Sequence, residues 1–510
     1  MEKSVWVQVP FFTPRKRHTA NWQYAVFIIM ELLTMYEKIL KVRNFPVIDA
    51  LLRFFNGDFY PLIYAALALI CSFTGFELVF FGITAVIVIF TAVFSIDSKP
   101  LITPLVLVVY SVSQKHTPQP PYNSDYLYRR YVLITIAVLF TVCVAALVFR
   151  MIAYKSWQNI FKNKTITRWG LFIFGGVLLL NGLFSSGYTI ETFIFGILFA
   201  FSFIFFYIYF YNTLQWQNNT GIFIAKVLCI AAGIIMIQLT EMLIFDGAIQ
   251  NGIIDKGHLN LGWGLSNNVG GMLAMFMPAC FYLAYKQENG LKCVLLYLYG
   301  VLLIAGVAFT LSRTSLLVGG FVLLAIMILM SIRGKHVKNV RICNLILIIC
   351  SVILIILFFD QLGQLFKHYI EKGLDDSSRF DIWKKGWLLF LKNPVFGAGF
   401  SVSLYNIENW VFPDMYHNTY IQLLASCGIL GAAAYTLHLA QGALLFFKSP
   451  SDERFFYFLT AFILTAMSML DNHIFHVFPT LVYALMFAVA ELEYKNKRKE
   501  LLQNEDFSII

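Results

Sequence analysis

Apolar runs long enough to cross a bilayer constrain this chain more than any other feature. Residues 131–153, 190–211, 222–245, 291–310 and 313–332 each carry no more than two charges over twenty residues or more. About 20 such residues are what an α-helix needs to traverse a hydrocarbon layer of roughly 30 Å. The same reading along the chain gives further candidates at 59–75, 76–95, 100–113, 168–186, 262–285, 341–360, 418–447, 454–472 and 474–493. The expectation is therefore an all-α, polytopic membrane protein with about 14 transmembrane helices, within a range of 12–14. No alternation of period two marks a barrel, and a helix satisfies its own backbone in lipid. The stretch 418–447 exceeds one span and is expected to be tilted, or broken at its glycines. Composition agrees. Hydrophobic residues make up 59% and charged residues 13%, against about 25% charged in soluble domains. A soluble enzyme, a coiled coil and a disordered chain are excluded.

The net charge of +10 is first a statement about topology, not about a nucleic-acid partner. With the N-terminus placed inside, 26 of 38 Lys and Arg fall in cytoplasmic segments, as the positive-inside rule requires. Both termini are expected in the cytoplasm. The expected segments are 1–58, cytoplasmic with an amphipathic interfacial helix at 22–40; 59–360, a transmembrane bundle; 361–416, a large extracytoplasmic loop; 417–494, the C-terminal transmembrane helices; and 495–510, a basic tail. No cleavable signal sequence is recognised. The eight cysteines fall in or beside spans and read as small buried hydrophobes.

Loops as long as 361–416 usually carry function. Within it DDSSRFDIWKKGWLLFLKNP reads as a helix capped near Asp376 to Ser378 and ended by Asn393-Pro394. Phe380, Trp383, Trp387, Leu388 and Leu391 form one stripe, so this helix is expected to lie on the outer leaflet. Three candidates share that outer side: Arg313 at a span end, Arg379 on the loop helix and His417 at the mouth of the next span. Arginine matches phosphate oxygens and histidine exchanges protons near neutral pH. Together they suggest an anionic headgroup held beside a proton acceptor. Plainer readings stand beside each: a water-bonded interfacial histidine, a snorkelling Arg313, and an Arg379 paired with Asp375, Asp376 or Asp381. Trp383 reads as an interfacial anchor or as a surface for sugar stacking. Asp414, Asp471 and His473 are further substrate-binding candidates. The last two lie in a cluster with Asn472 and His476 that reads equally as a solvated turn. The outer side offers only Asp375-Asp376 as an adjacent acid pair, so no metal and no cofactor are expected.

The motif H-N-x9-G-x-x-G at His417, Asn418, Gly428 and Gly431 resembles the signature of the O-antigen ligase and O-antigen polymerase family. SRFDIWKKGWLLFLKNPVFGAGF and LSRTSLLVGG resemble two further elements of it, together covering residues 305–440. The resemblance implies glycan transfer from an undecaprenyl-diphosphate-linked donor to an acceptor hydroxyl on a glycan or lipid, at the outer face of the cytoplasmic membrane. It implies an inverting reaction, with Arg313 and Arg379 on the leaving diphosphate, His417 acting on the acceptor hydroxyl as base or orienting it, and Asn418 beside it as a substrate-binding candidate. Partners in polysaccharide assembly and export go with such an enzyme. A polymerase of lipid-linked repeats is slightly preferred. Ligase-type transfer to another acceptor is the alternative, and a flippase of lipid-linked oligosaccharide is the rival of another class.

Overall fold

The structure, a computed structural model, describes residues 37–113, 129–359, 377–400 and 415–507, apart from residues 155, 163, 164, 218, 251, 252, 358 and 449. It is helical almost throughout. Its helices are α1 Pro46–Asn56, α2 Phe59–Thr74, α3 Glu77–Phe94, α4 Lys99–Leu107, α5 Arg130–Ala153, α6 Arg168–Leu179, α7 Ile190–Thr213 and α8 Thr220–Ile244. They continue as α9 Ser266–Lys286, α10 Gly290–Phe309, α11 Arg313–Ile332, α12 Val337–Leu357, α13 Ser377–Lys392, α14 Thr419–Phe447, α15 Asp452–Ser468 and α16 Val477–Phe507. Between α8 and α9, Ile249–Gln250 and Ile253–Ile254 pair as a short antiparallel hairpin.

Each of the fourteen candidate runs contains a helix, but among the described residues 10 helices are long and apolar enough to cross a membrane unaided, or 11 if α1 and α2 count as one bent span. The remaining four are shortened for local reasons. Pro104 sits inside α4, α6 stops after 12 residues, and α15 opens on Asp452, Glu453 and Arg454. Helix α2 meets α1 at 79°. Helix α1 leaves Val47, Leu51 and Phe54 exposed while it buries Leu52 and Phe55. Most of the interfacial helix expected at 22–40 lies outside the described residues; the described part, from residue 37, is helical.

Helix α9 is the axis of the bundle. In its apolar window 89% of residues are buried, against 11% in α5 and 12% in α12. Small residues explain the difference. Gly270, Gly271, Ala274, Ala279 and Ala284 are all buried on α9 and let neighbouring backbones approach. Helices α5 and α12 are apolar all round, as a lipid-facing helix must be. Several buried polar groups are met internally, where lipid offers no partner. Gln238 Nε2 donates to Ser72 Oγ at 2.7 Å and to the Tyr110 carbonyl at 2.8 Å, and Trp263 Nε1 donates to Gln238 Oε1 at 3.0 Å. Glu491 on α16 accepts the backbone N–H groups of Ile166 and Thr167, each at 2.7 Å, at the start of α6. The Arg150 guanidinium donates to the Ser95 and Ile96 carbonyls at the end of α3.

Candidate active site

Helix α14 is broken where the sequence places its first glycine. Gly428 has φ 67° and ψ −160°, a conformation that L side chains rarely adopt. The break frees backbone groups, and the segment after α13 takes them. Ile429 N–H donates to the Pro394 carbonyl at 2.8 Å, while Ala398 and Gly399 N–H donate to the Ala425 and Ser426 carbonyls at 2.7 and 3.0 Å. A Cβ at Gly428 would collide with the Val395 carbonyl, and one at Gly397 with the Ser426–Cys427 peptide. The far side of the inserted segment rests on the turn after α6: Gly182 N–H donates to the Phe396 carbonyl at 2.8 Å. Phe400 N–H donates to Asn181 Oδ1 at 2.9 Å, and its ring packs on Phe199 and Phe475.

This insertion sets the course of α13. Gly386 packs against Tyr416 and Ile421, and Pro394 bonds to Ile429. The helix therefore runs alongside the first half of α14, in the same direction, a packing that its apolar stripe does not reveal. Phe380, Trp387, Leu388 and Leu391 form its exposed side. Arg379, Trp383 and Gly386 are spaced three and four residues apart and share the α14-facing side. Arg379 lies about 10 Å before Gly386 along the axis. Trp383 is half-buried, and its Nε1 has no hydrogen-bond partner among the described residues.

At the same end, His417 adopts φ +52°, a left-handed conformation open to histidine more often than to bulkier residues. It is followed at once by Asn418, whose Oδ1 accepts the Ile421 N–H at 3.0 Å as the cap of α14, while its Nδ2 donates to the Met469 carbonyl at 2.8 Å. Asn418 is thus a structural cap that joins two helix ends. His417 Nδ1 lies 2.9 Å from Asp471 Oδ1. That same oxygen accepts the Asn472 N–H at 2.9 Å, and Oδ2 accepts Asn267 Nδ2 from α9 at 3.1 Å. A carboxylate can only accept, so His417 carries its proton on Nδ1 and presents Nε2 as the acceptor.

The second polar cluster is not a solvated turn. Asn472 and His473 are buried. Asn472 Nδ2 donates to Gln422 Oε1 at 2.7 Å, and the His473 ring packs on Gly271 with Nε2 at 3.9 Å from Asp471 Oδ2. Asp471 is therefore the partner of His417, and His473 stands behind it. Asp414 lies outside the described residues. Burial alone would raise the Asp471 carboxyl, but the bond from His417 and the fields of His473 and His417 outweigh it and hold Asp471 well below the usual carboxylate range. Burial also lowers His473, and it lowers His476 to about 4.

These shifts predict acid sensitivity. A histidine depressed in the folded state binds fewer protons than in the unfolded chain, so stability falls as pH drops from about 6.5 to about 4 and the loss then levels off. Asp471 adds a further loss below its ordinary pKa of about 3.9. Thermal unfolding of His476→Gln should show a flatter pH dependence than the parent between pH 6.5 and 4, and an unchanged slope would refute the assignment.

Arg313 opens α11 on an exposed turn, where Ser312 Oγ and Ser315 Oγ are 2.8 Å apart. Both of those serines approach Gly270 on α9, one turn from Asn267. Arg313, Asn267, Asp471 and His417 therefore share one end of the bundle, tied together through the first turn of α9. Arg379 reaches that end along the α14-facing side of α13. Asn267 had no sequence signal: it is an asparagine before a run of small residues, and only packing brings it to Asp471. Among the described residues no three His, Cys, Asp or Glu converge as a metal-ligand set.

No curated protein matches the chain. Residues 298–436 match the family model described as O-Antigen ligase, a stretch that holds Arg313, Arg379, His417 and the glycine break but neither Asn267 nor Asp471. With the multiple apolar helices around it, that match supports assigning this multi-pass membrane protein to the O-antigen ligase and polymerase family, whose chemistry is the transfer of glycan in surface-polysaccharide biosynthesis.

Proposed function

We propose that the protein transfers glycan from an undecaprenyl-diphosphate-linked donor to an acceptor hydroxyl at the outer face of the cytoplasmic membrane, with the polymerisation of lipid-linked repeats preferred. The observation that carries this reading is the His417–Asp471 pair at 2.9 Å, at the end of the bundle where Arg313 opens α11. His417 Nε2 takes the proton of the acceptor hydroxyl as its oxygen attacks the anomeric carbon. The bond from that carbon to the diphosphate oxygen breaks, and undecaprenyl diphosphate departs as the anion. In-line displacement of this kind inverts the anomeric centre. Arg313 and Arg379 meet the charge that develops on the leaving group, which is where preorganised cations lower a barrier most. Arg313 is helped by its place at the first turn of α11, since a helix N-terminus favours negative charge. Asp471 holds the His417 ring and steadies the imidazolium, as in other histidine–carboxylate pairs. Trp383 fits a stacking surface for sugar beside Arg379. The reaction asks for no resident metal or cofactor, and its natural partners are the other membrane proteins of polysaccharide assembly and export.

The test is reconstitution of the purified protein with lipid-linked repeat units. Longer chains and released undecaprenyl diphosphate support the polymerase. Glycosylation of a separate lipid or glycan acceptor without chain growth assigns a ligase instead. Movement of lipid-linked sugar between leaflets with neither product assigns a flippase. Arg313→Ala and Arg379→Ala should each reduce turnover by roughly a hundred-fold or more, the scale of losing one transition-state donor. Full activity in Arg379→Ala would remove that residue from the diphosphate.

A further inference from the structure

The end of the bundle opposite His417 holds a cavity of about 300 Å³ between the last turns of α9, the last turns of α11 and the first turns of α15. Phe281, Leu329, Phe455 and Leu459 are among its walls, and Arg333 and Asp452 stand at its mouth. Asp452 is engaged by Lys286 at 3.1 Å, so it does not neutralise the arginine. Arg333 is exposed and makes no side-chain hydrogen bond or ion pair among the described residues. It follows the last residue of a span, at the level where a bilayer changes from acyl chains to phosphates.

We propose that this cavity is a binding site for an anionic phospholipid of the leaflet opposite the candidate active site, with an acyl chain in the cavity and the headgroup phosphate on Arg333. Three observations select that occupant. The walls are mostly apolar and the cavity starts at the end of a span, where lipid is the abundant apolar molecule. The lining of α9 from Pro278 to Tyr285 spans about 10 Å of depth, a third of the hydrocarbon thickness, which suits a chain segment and not a buried soluble ligand. The mouth carries an uncompensated guanidinium, whose planar fork suits phosphate oxygens. The proposal does not depend on the reaction assigned to the other end.

The test uses full-length protein in nanodiscs of equal phosphatidylglycerol and phosphatidylcholine, followed by native mass spectrometry of retained lipid. Phosphatidylglycerol should be retained about five-fold over phosphatidylcholine, the scale of one arginine at an anionic surface. Arg333→Gln should bring the ratio near parity, while Lys338→Gln, an exposed cation nearby that does not line the cavity, should leave it unchanged. Leu329→Trp, which fills the cavity, should lower retention of both lipids. Parity in the parent protein, or an unchanged preference in Arg333→Gln, overturns the proposal. So does displacement of the lipid by millimolar inorganic phosphate, which would assign a site for free anion.

Discussion

Replacing His417 by alanine is expected to lower glycan transfer by about 100-fold to 10,000-fold, the range that a positioned general base contributes, with the folded protein still recovered. The ring is only a third exposed and its Nδ1 is already committed to Asp471, so its contribution lies in the Nε2 lone pair and not in packing. The backbone complicates a simple reading, because His417 sits at φ +52°. His417→Asn is the informative companion, since asparagine tolerates the left-handed region but its amide cannot act as a base. If His417→Asn keeps near-normal turnover, the general-base role falls. Asp471→Asn tests the next contact. An amide there can donate to Nδ1 and favours the wrong tautomer, so a loss of similar order is expected, without a change in donor-lipid affinity. A rise in KM alone would return Asp471 to substrate binding.

The largest structural effect is expected at Gly428. A valine there must adopt a strained φ of 67° and place Cβ against the Val395 carbonyl, in a segment whose peptide groups are bonded on both sides. Strain of that kind costs about 1–3 kcal/mol, and the overlap adds a comparable amount. Gly428→Val should therefore lower the unfolding temperature sharply, or prevent recovery of folded protein. Gly176→Ala is the contrast: it has no heavy atom within 4 Å of the added Cβ and should be tolerated. Detergent-solubilised protein followed by tryptophan fluorescence on heating separates the two. Equal thermal stability of Gly428→Val and the parent would show that α14 does not need its break. The prediction matters for activity because the break lets residues 394–399 enter the bundle, and these residues fix α13, which carries Arg379, beside the helix that follows His417.

The apolar runs and sparse charge were enough to identify a helical membrane protein. They were enough because lipid leaves the backbone no other partner: a run of twenty apolar residues has one outcome, whatever its neighbours. Motif spacing likewise exposed His417, Arg313 and Arg379 as candidates, since their residue types carry chemistry that the surrounding leucines and phenylalanines cannot. Span length was less legible. Helices such as α6 and α15 end where a turn or a charged start suits their neighbours, and hydropathy does not record a neighbour. The packing of α13 was illegible for the same reason: the stripe at Phe380, Trp387 and Leu388 is exposed, and the opposite side, marked in sequence only by Gly386, is the one that packs. Most of what turns a histidine into a candidate base was decided in three dimensions. Asn267, His417 and Asp471 come from three separate parts of the chain; Gly271 admits the His473 ring against α9, and Asn418 and Thr419 bond to the Met469 and Ser468 carbonyls just before Asp471. Sequence fixes which groups a chain can offer; only packing decides which of them share a proton, because a hydrogen bond depends on an ångström and a sequence carries no distances between segments.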